Sequence, residues 1–215
     1  MGEPVEGGVV DYDDFNDMKE HVRHYLSESV KRDGDRMRWY PWHSSEYRFD
    51  HTMGVVNLAE RLARSEGGNV DVVRVAALFH DVAKFEVTQE KHADEGAWVA
   101  RKYLSNHGYT DEFIDTVSRV IKDHTRNIQE EMPLESKLLI EADSIDKIGI
   151  AGTSLMIMRV GYESRPHVDV PKMIQRVIDR GEGMQDWLET ETAQKLVRIR
   201  VERAKTFKDW FEDEI

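Results

Sequence analysis

Histidine and aspartate residues occur in this chain where buried chemistry would need them. His80 and Asp81 are adjacent at the end of an apolar stretch, and His51 opens the helix predicted before it. Asp143 lies in a later predicted helix. Imidazole nitrogen and carboxylate oxygen together suit Mn²⁺, Fe²⁺, Zn²⁺, Mg²⁺, Co²⁺ or Ni²⁺. A single buried histidine is more often a hydrogen-bonded core residue, so the combination, rather than any one residue, favours a metal site.

The elements that must position these residues are predicted to be helices. Apolar residues recur at helical spacing from Phe15 onward, and no segment alternates like a strand bounded by hairpin turns. Helices are predicted over about 15–30, 50–64, 69–79, 92–106, 110–124, 133–148, 172–180 and 185–212. Residues 33–50 look irregular, and the pattern from 149 to 171 is ambiguous. We therefore predict an all-α fold, with residues 1–14 as a flexible N-terminus.

Composition and charge exclude several classes of protein. Lys and Arg number 30 against 42 Asp and Glu in 215 residues, which gives a net charge of −12. Cysteine is absent, so neither disulfides nor a thiolate zinc site can form. The acidity disfavours polymeric nucleic acid but allows a small phosphorylated substrate, because a metal ion and a few basic residues can reverse the field locally. The chain shows no apolar run long enough for a membrane span and no signal peptide, so no membrane partner and a cytoplasmic location are expected.

The order of these residues resembles a known family. The set His51, His80-Asp81 and Asp143, in a helical context, resembles the HD-domain metal-dependent phosphohydrolase superfamily. FDHTMGVVNLAERLA and AALFHDVAKF look like that family's first metal-binding helix and its HD helix. KHADEGAWVARKYLSNHG, VIKDHT and LESKLLIEADSIDKIG look like a subset of stand-alone bacterial and archaeal HD hydrolases. The resemblance covers about residues 45–155 and implies an HD-domain helical bundle, with 15–215 as a single HD domain that has a C-terminal helical extension.

The resemblance also implies a ligand set. His51, His80, Asp81 and Asp143 are expected to bind a divalent metal ion of unspecified identity, and Asp81 is expected to touch the attacking water as well. The family's D-A-D-x-L-D-like segment reads EADSID here, starting at residue 141. Asp146 therefore remains an alternative to Asp143, although the register favours Asp143.

Two further histidines and a lysine are candidates for catalysis. His92 and His124 could contact the substrate phosphate or donate a proton to the leaving group, could bind a second metal ion, or could be capping residues. Lys84 follows His80 by four positions, so on a continuous helix it would share that face. From there it could bind a phosphate oxygen and stabilise developing charge.

Other basic residues are weaker candidates for binding the substrate. Arg38, Arg48, Arg126 and Lys147 could each contact a phosphate, although an exposed surface charge is the simpler interpretation for any one of them. Arg38 belongs to the aromatic segment RMRWYPWHSS, whose rings could stack on a nucleobase or pack over the core.

These features predict a metal-dependent phosphohydrolase that acts on a small phosphate ester, preferably a nucleotide, by attack of metal-activated water on phosphorus. It would be either a phosphomonoesterase or a nucleotide pyrophosphohydrolase. Two alternatives remain open: a metal-containing sensor protein without turnover, and a di-iron oxygenase on the same scaffold. The last helix has alternating charges on its outer side, which fits a solvated face or a homodimer contact.

Overall fold

The described part of the chain, in a computed structural model, is helical throughout. It comprises residues 10–32, 44–162 and 169–214, in which no strand occurs. The helices of this part are α1 (Tyr12–Arg32), α2 (Ser45–Glu66), α3 (Val70–Phe79), α4 (His92–Asn106), α5 (Asp111–Asp123), α6 (Leu134–Asp146), α7 (Gly149–Tyr162), α8 (Val170–Met184) and α9 (Glu191–Asp213). The predicted all-α class is confirmed.

Helix α3 lies at the centre of the bundle. It starts at the N-cap Asn69, whose side chain accepts a hydrogen bond from the backbone of Val72. Every residue from Val75 to Phe79 is fully buried. A helix that is apolar on all sides must be covered on all sides, and α1, α2, α4, α5 and α6 all pack against it.

The chain leaves α3 directly before the His-Asp pair. Backbone hydrogen bonds beyond Phe79 join residues three apart, from Lys84 to Asp81 and from Glu86 to Ala83, so tight turns replace the helix. The helix ends at Phe79, as the predicted bounds of 69–79 indicate, so the interpretation that places Lys84 on the same helical face as His80 is wrong. Within these turns both His80 and Asp81 remain buried.

Helix α4 approaches this turn closely through Gly96. A Cβ atom there would lie 3.1 Å from the carbonyl oxygens of both Phe79 and His80, tighter than ordinary packing. The absence of a side chain lets the α4 backbone lie against the end of α3. His92, one turn earlier on α4, is thereby brought toward Asp81.

The predicted boundaries differ from the structure at several helix ends. Helix α2 begins at Ser45, within the segment predicted to be irregular, and α9 begins at Glu191 instead of about residue 185. Helix α1 begins at Tyr12, three residues before Phe15, where Asp11 accepts a hydrogen bond from the Asp14 backbone. Val10 is buried against α3, and its carbonyl accepts a hydrogen bond from Arg74, so the chain contacts the domain at Val10, whereas residues 11–13 are exposed. The ambiguous segment beyond residue 149 contains the full helix α7.

One buried carboxylate ties α6 to the start of α9. Glu141 is fully buried, and its Oε1 accepts hydrogen bonds from the backbone of Glu189 at 2.8 Å and of Thr190 at 3.0 Å. The Thr190 hydroxyl donates to Oε2 at 2.6 Å while also capping α9. Burial raises the pKa of Glu141, although these hydrogen bonds oppose the rise. Because α9 packs on α7 and α8, this clamp anchors the C-terminal helices beside α6.

None of the helices in the described ranges combines the length and the apolar character that crossing a lipid bilayer requires.

Glu141→Ala is expected to lower the free energy of unfolding by about 3 kcal/mol, because three donors lose a charged acceptor in a buried site. Glu141→Gln retains one acceptor oxygen and is expected to cost less. Urea unfolding followed by circular dichroism measures both. An alanine variant as stable as the glutamine variant would show that the hydrogen bonds to Glu141 do not stabilise the fold.

Candidate metal centre and active-site cavity

Four donor atoms converge where α2, α6 and the turn after α3 meet. His51 Nε2 lies 3.2 Å from Asp143 Oδ1, and His80 Nε2 lies 3.8 Å from the same oxygen. Asp81 Oδ2 is 3.6 Å from His80 Nε2 and 3.9 Å from His51 Nε2. Ligands bound to one ion at about 2.1 Å stand roughly 3 Å apart, so these atoms need only small movements to share an ion. We call them the first cluster.

The donor atoms of the first cluster also lack hydrogen-bonding partners, which a divalent cation would supply. His51 Nε2, His80 Nε2 and Asp143 Oδ1 are all buried without a hydrogen-bonding partner. Buried polar atoms are nearly always satisfied, so orphaned ones need an explanation. Two imidazole nitrogens and carboxylate oxygens facing one point are satisfied together by a metal ion.

Asp81 connects the first cluster to a second one. Its other oxygen, Oδ1, lies 3.3 Å from His92 Nε2 and 3.7 Å from His124 Nε2. The two imidazole nitrogens are 3.1 Å apart. Asp81, His92 and His124 are all buried and close enough to hold an ion of their own. We call this group the second cluster.

A lysine ammonium group already occupies the second cluster. Lys84 Nζ lies 3.3 Å from Asp81 Oδ1 and 3.2 Å from His92 Nε2. Burial lowers the pKa of Lys84, and the nearby Asp81 carboxylate opposes that shift. Lys84 thus places a cationic donor where a second metal ion would otherwise be needed.

Each histidine of the two clusters has its remote nitrogen held by an oxygen. The Nδ1 atoms of His80 and His124 lie 2.7 and 2.6 Å from the carbonyl oxygens three residues earlier, at Ala77 and Ile121. His92 contacts the Gln89 carbonyl in the same way. A carbonyl only accepts, so each Nδ1 must carry the proton and each Nε2 of a neutral ring presents a lone pair. Burial lowers the pKa of His80 to about 3, which keeps that ring neutral.

His51 is oriented by a side chain instead of a carbonyl. Its Nδ1 lies 2.8 Å from Asp146 Oδ2. Gly54 makes this contact possible, because a Cβ there would lie 2.5 Å from Asp146 Oδ1. The structure therefore places Asp143 among the donor atoms and Asp146 behind His51, where a carboxylate sets the tautomer and basicity of a ligating imidazole.

Basic residues hold the two aspartates in their charged form. Arg48 is buried and donates to Asp81 Oδ2 at 2.6 Å, and Lys147 lies 2.6 Å from Asp143 Oδ2. Burial alone would raise the pKa of both carboxyls. The neighbouring histidines, with Arg48 at Asp81 and Lys147 at Asp143, outweigh it and hold both pKa values well below the usual range.

A cavity of about 430 Å³ opens onto the metal centre. The predicted residues His51, Asp81, Lys84, Arg48 and Lys147 all line it. Its other lining residues come from α2, the turn before α4, and helices α7 and α8: Tyr47, Gln89, Gly152, Leu155, Met156, Arg159 and Arg180.

One predicted substrate contact, Arg126, is not found at this cavity. Arg126 is exposed and lines a separate groove, because the Asp123 carboxylate with which it pairs at 3.1 Å also lines that groove. Another predicted contact, Arg38, lies outside the described residues. Sequence reasoning also missed Arg159 and Arg180, which follow no recognisable motif and reach the cavity only through the packing of α7 and α8.

Comparison with known proteins finds an HD domain in this chain. The family model "HD domain" matches residues 48–148, slightly less than half of the chain. A symmetrical bis(5'-nucleosyl)-tetraphosphatase of Halalkalibacterium halodurans is 31% identical over 48% of this chain. The matched part of the chain spans 63% of that relative's length.

Solved structures show the same architecture. An HD superfamily hydrolase from an uncultured Thermotogales bacterium is 25% identical, with a TM-score of 0.61 over 91% of both chains. YpgQ of Bacillus subtilis, solved in complex with ADP, is 19% identical, with a TM-score of 0.66 over 93% of this chain and 96% of YpgQ. The similarity therefore extends over most of each chain, including helices outside the segment that the family model matches.

Asp146→Ala is expected to weaken metal binding by about 10–100-fold, because His51 loses the group that orients it. Gly54→Ala should act in the same direction by displacing Asp146. The control is Asp50→Ala, which removes an exposed aspartate from the same helix as His51. Competition with a fluorescent chelator measures the affinities. Metal binding that survives Asp143→Ala but not Asp146→Ala would reverse the assignment of the two aspartates.

Proposed function

We propose that this protein is a metal-dependent phosphohydrolase whose divalent ion is bound by His51, His80, Asp81 and Asp143. The observation that carries the proposal is the set of buried, unsatisfied donor atoms that face one another beside a basic cavity, which His51 lines. When bound, a divalent ion lowers the pKa of a coordinated water and polarises a phosphoryl oxygen. The metal itself can be Mn²⁺, Mg²⁺, Co²⁺, Ni²⁺, Zn²⁺ or Fe²⁺.

Side chains of the protein can orient the water, stabilise the developing charge and protonate the leaving group. Asp81, ionised and shared by both clusters, can accept a hydrogen bond from the attacking water through Oδ1. Lys84 can donate to a phosphoryl oxygen and offset the negative charge that develops there. His92 and His124 present their Nε2 atoms to the same space, where one of them, once protonated, can donate to the leaving group.

The substrate we propose is a small phosphate ester, with nucleotides preferred. Support comes from the basic lining of the cavity and from the named activity of the tetraphosphatase relative. Polymeric nucleic acid is an unfavourable partner for a chain with a net charge of −12. The homodimer and the cytoplasmic location stay predictions.

Asp81→Ala is expected to abolish metal content and hydrolysis together, since Asp81 contributes to both clusters. The assay is metal analysis combined with a panel of nucleoside mono-, di- and triphosphates, dinucleoside polyphosphates and sugar phosphates, with phosphate and pyrophosphate separated. Reaction in ¹⁸O-labelled water should place the label on a phosphorus-containing product. Hydrolysis of any of these substrates by a metal-free Asp81→Ala protein would contradict the proposal.

Metal stoichiometry distinguishes the alternative functions. One ion per chain is expected, because the Lys84 ammonium lies within the second cluster. Two ions per chain would fill the second cluster and favour the oxygenase alternative. A loaded protein that hydrolyses nothing in the panel would favour a sensor.

Lys84→Gln is expected to lower kcat by about 100-fold while the ion of the first cluster stays bound, because the ammonium group acts on the phosphoryl oxygens and is not a ligand of that ion. Lys91→Gln, at an exposed lysine outside the cavity, is the matched control. Loss of metal from the Lys84→Gln protein would mean that Lys84 supports the clusters structurally.

A further inference from the structure

The active-site cavity has two walls of different origin. The inner wall is formed by Tyr47, residues of the matched HD segment and the turn before α4. The outer wall comes from α7 and α8, all of which lie beyond residue 148, where the family match ends. Its residues are Gly152, Leu155, Met156, Arg159 and Arg180. The residues of the outer wall thus lie outside the matched HD segment.

The charge of the cavity is opposite to that of the whole chain. Among the described lining residues, five carry basic side chains, namely Arg48, Lys84, Lys147, Arg159 and Arg180, and one, Asp81, is acidic. The chain as a whole carries a net charge of −12. A concave surface with clustered cations in such a chain concentrates anionic ligands.

The inner cations already have partners at the metal centre. Arg48 contacts Asp81 at 2.6 Å, Lys147 contacts Asp143 at 2.6 Å, and Lys84 contacts Asp81 at 3.3 Å. They largely balance the two carboxylates. Their positions suit the phosphoryl group that reacts at the metal, and they leave little charge for a second anionic group.

Arg180 on the outer wall is in a different situation. It lies on α8 one turn before the helix ends at Met184, is exposed, and makes no hydrogen bond or ion pair with any residue in the described ranges. Arg159 lies on α7 one turn after Leu155, so both can face the cavity from one side of the helix. An uncommitted guanidinium group in a cavity is well suited to bidentate binding of a phosphate.

We propose that Arg180, together with Arg159, binds a second phosphate group of the substrate, away from the one that reacts. The preferred substrate is then a nucleotide with a polyphosphate chain, and a monophosphate is a poor one. Leu155 and Met156 give the same wall an apolar area beside the arginines. The inference rests on the proposed function for the identity of the reacting group, but the second phosphate site itself can be tested without turnover.

Arg180→Gln is expected to raise KM for diadenosine tetraphosphate and ATP by about tenfold, with kcat changed less than twofold. Hydrolysis of p-nitrophenyl phosphate, which has no second phosphate, should be unaffected. The matched control is Arg176→Gln, an exposed arginine one turn earlier on α8 that does not line the cavity. An unchanged KM for the polyphosphates, or an equal rise for p-nitrophenyl phosphate, overturns the proposal.

Binding measurements separate this inference from the proposed function. Isothermal titration of the Mn²⁺-loaded protein, with Mn²⁺ in excess, compares inorganic tripolyphosphate with orthophosphate. Tighter binding of tripolyphosphate, reduced about tenfold by Arg180→Gln and unchanged by Arg176→Gln, supports a second phosphate site even in a protein that hydrolyses nothing. Equal affinity for the two anions in the unsubstituted protein overturns that site, whatever the turnover.

Discussion

The shared carboxylate of Asp81 is the interaction on which the rest of the site depends. One oxygen faces His51 and His80, and the other faces His92 and His124. A buried carboxylate is costly unless several partners compensate it. The fold supplies them from four separate elements, because α3 ends directly before the turn that carries Asp81, and α2, α4 and the end of α5 converge on that turn.

Much of the fold could be predicted from the sequence because its signals are local. Helical periodicity places α4 over the predicted residues 92–106, and Asn69 caps α3. The tight turns after Phe79 could not be predicted, because an apolar run continues through Val82 and Ala83. There, the need to bury the His-Asp pair with its partners outweighs local helix propensity.

In the candidate site, too, the residues with a local sequence signal could be predicted, and those placed by packing could not. Its predicted metal-binding residues lie together because family motifs mark their positions, and residue type states their chemistry. Arg48 and Lys147 also lie at the site, whereas Arg126 does not, since spacing alone cannot tell on which side of a helix end a long basic side chain emerges. Arg180 carries no local signal, because it reaches the cavity only through the packing of α8 on its neighbours.

Three histidines of the site are oriented by backbone carbonyls and His51 by a side chain, so substitutions at the neighbouring positions affect them differently. Residues 77, 89 and 121 contribute backbone carbonyls, which almost any amino acid would provide. The hydrogen bonds to these rings therefore do not depend on which side chains the three residues carry, although Ala77 and Ile121 are buried in the core. His51 depends on the identity of two other residues, the carboxylate of Asp146 and the missing side chain of Gly54. A substitution at either of them can therefore remove the orientation of His51, so the three residues must change together or stay as they are.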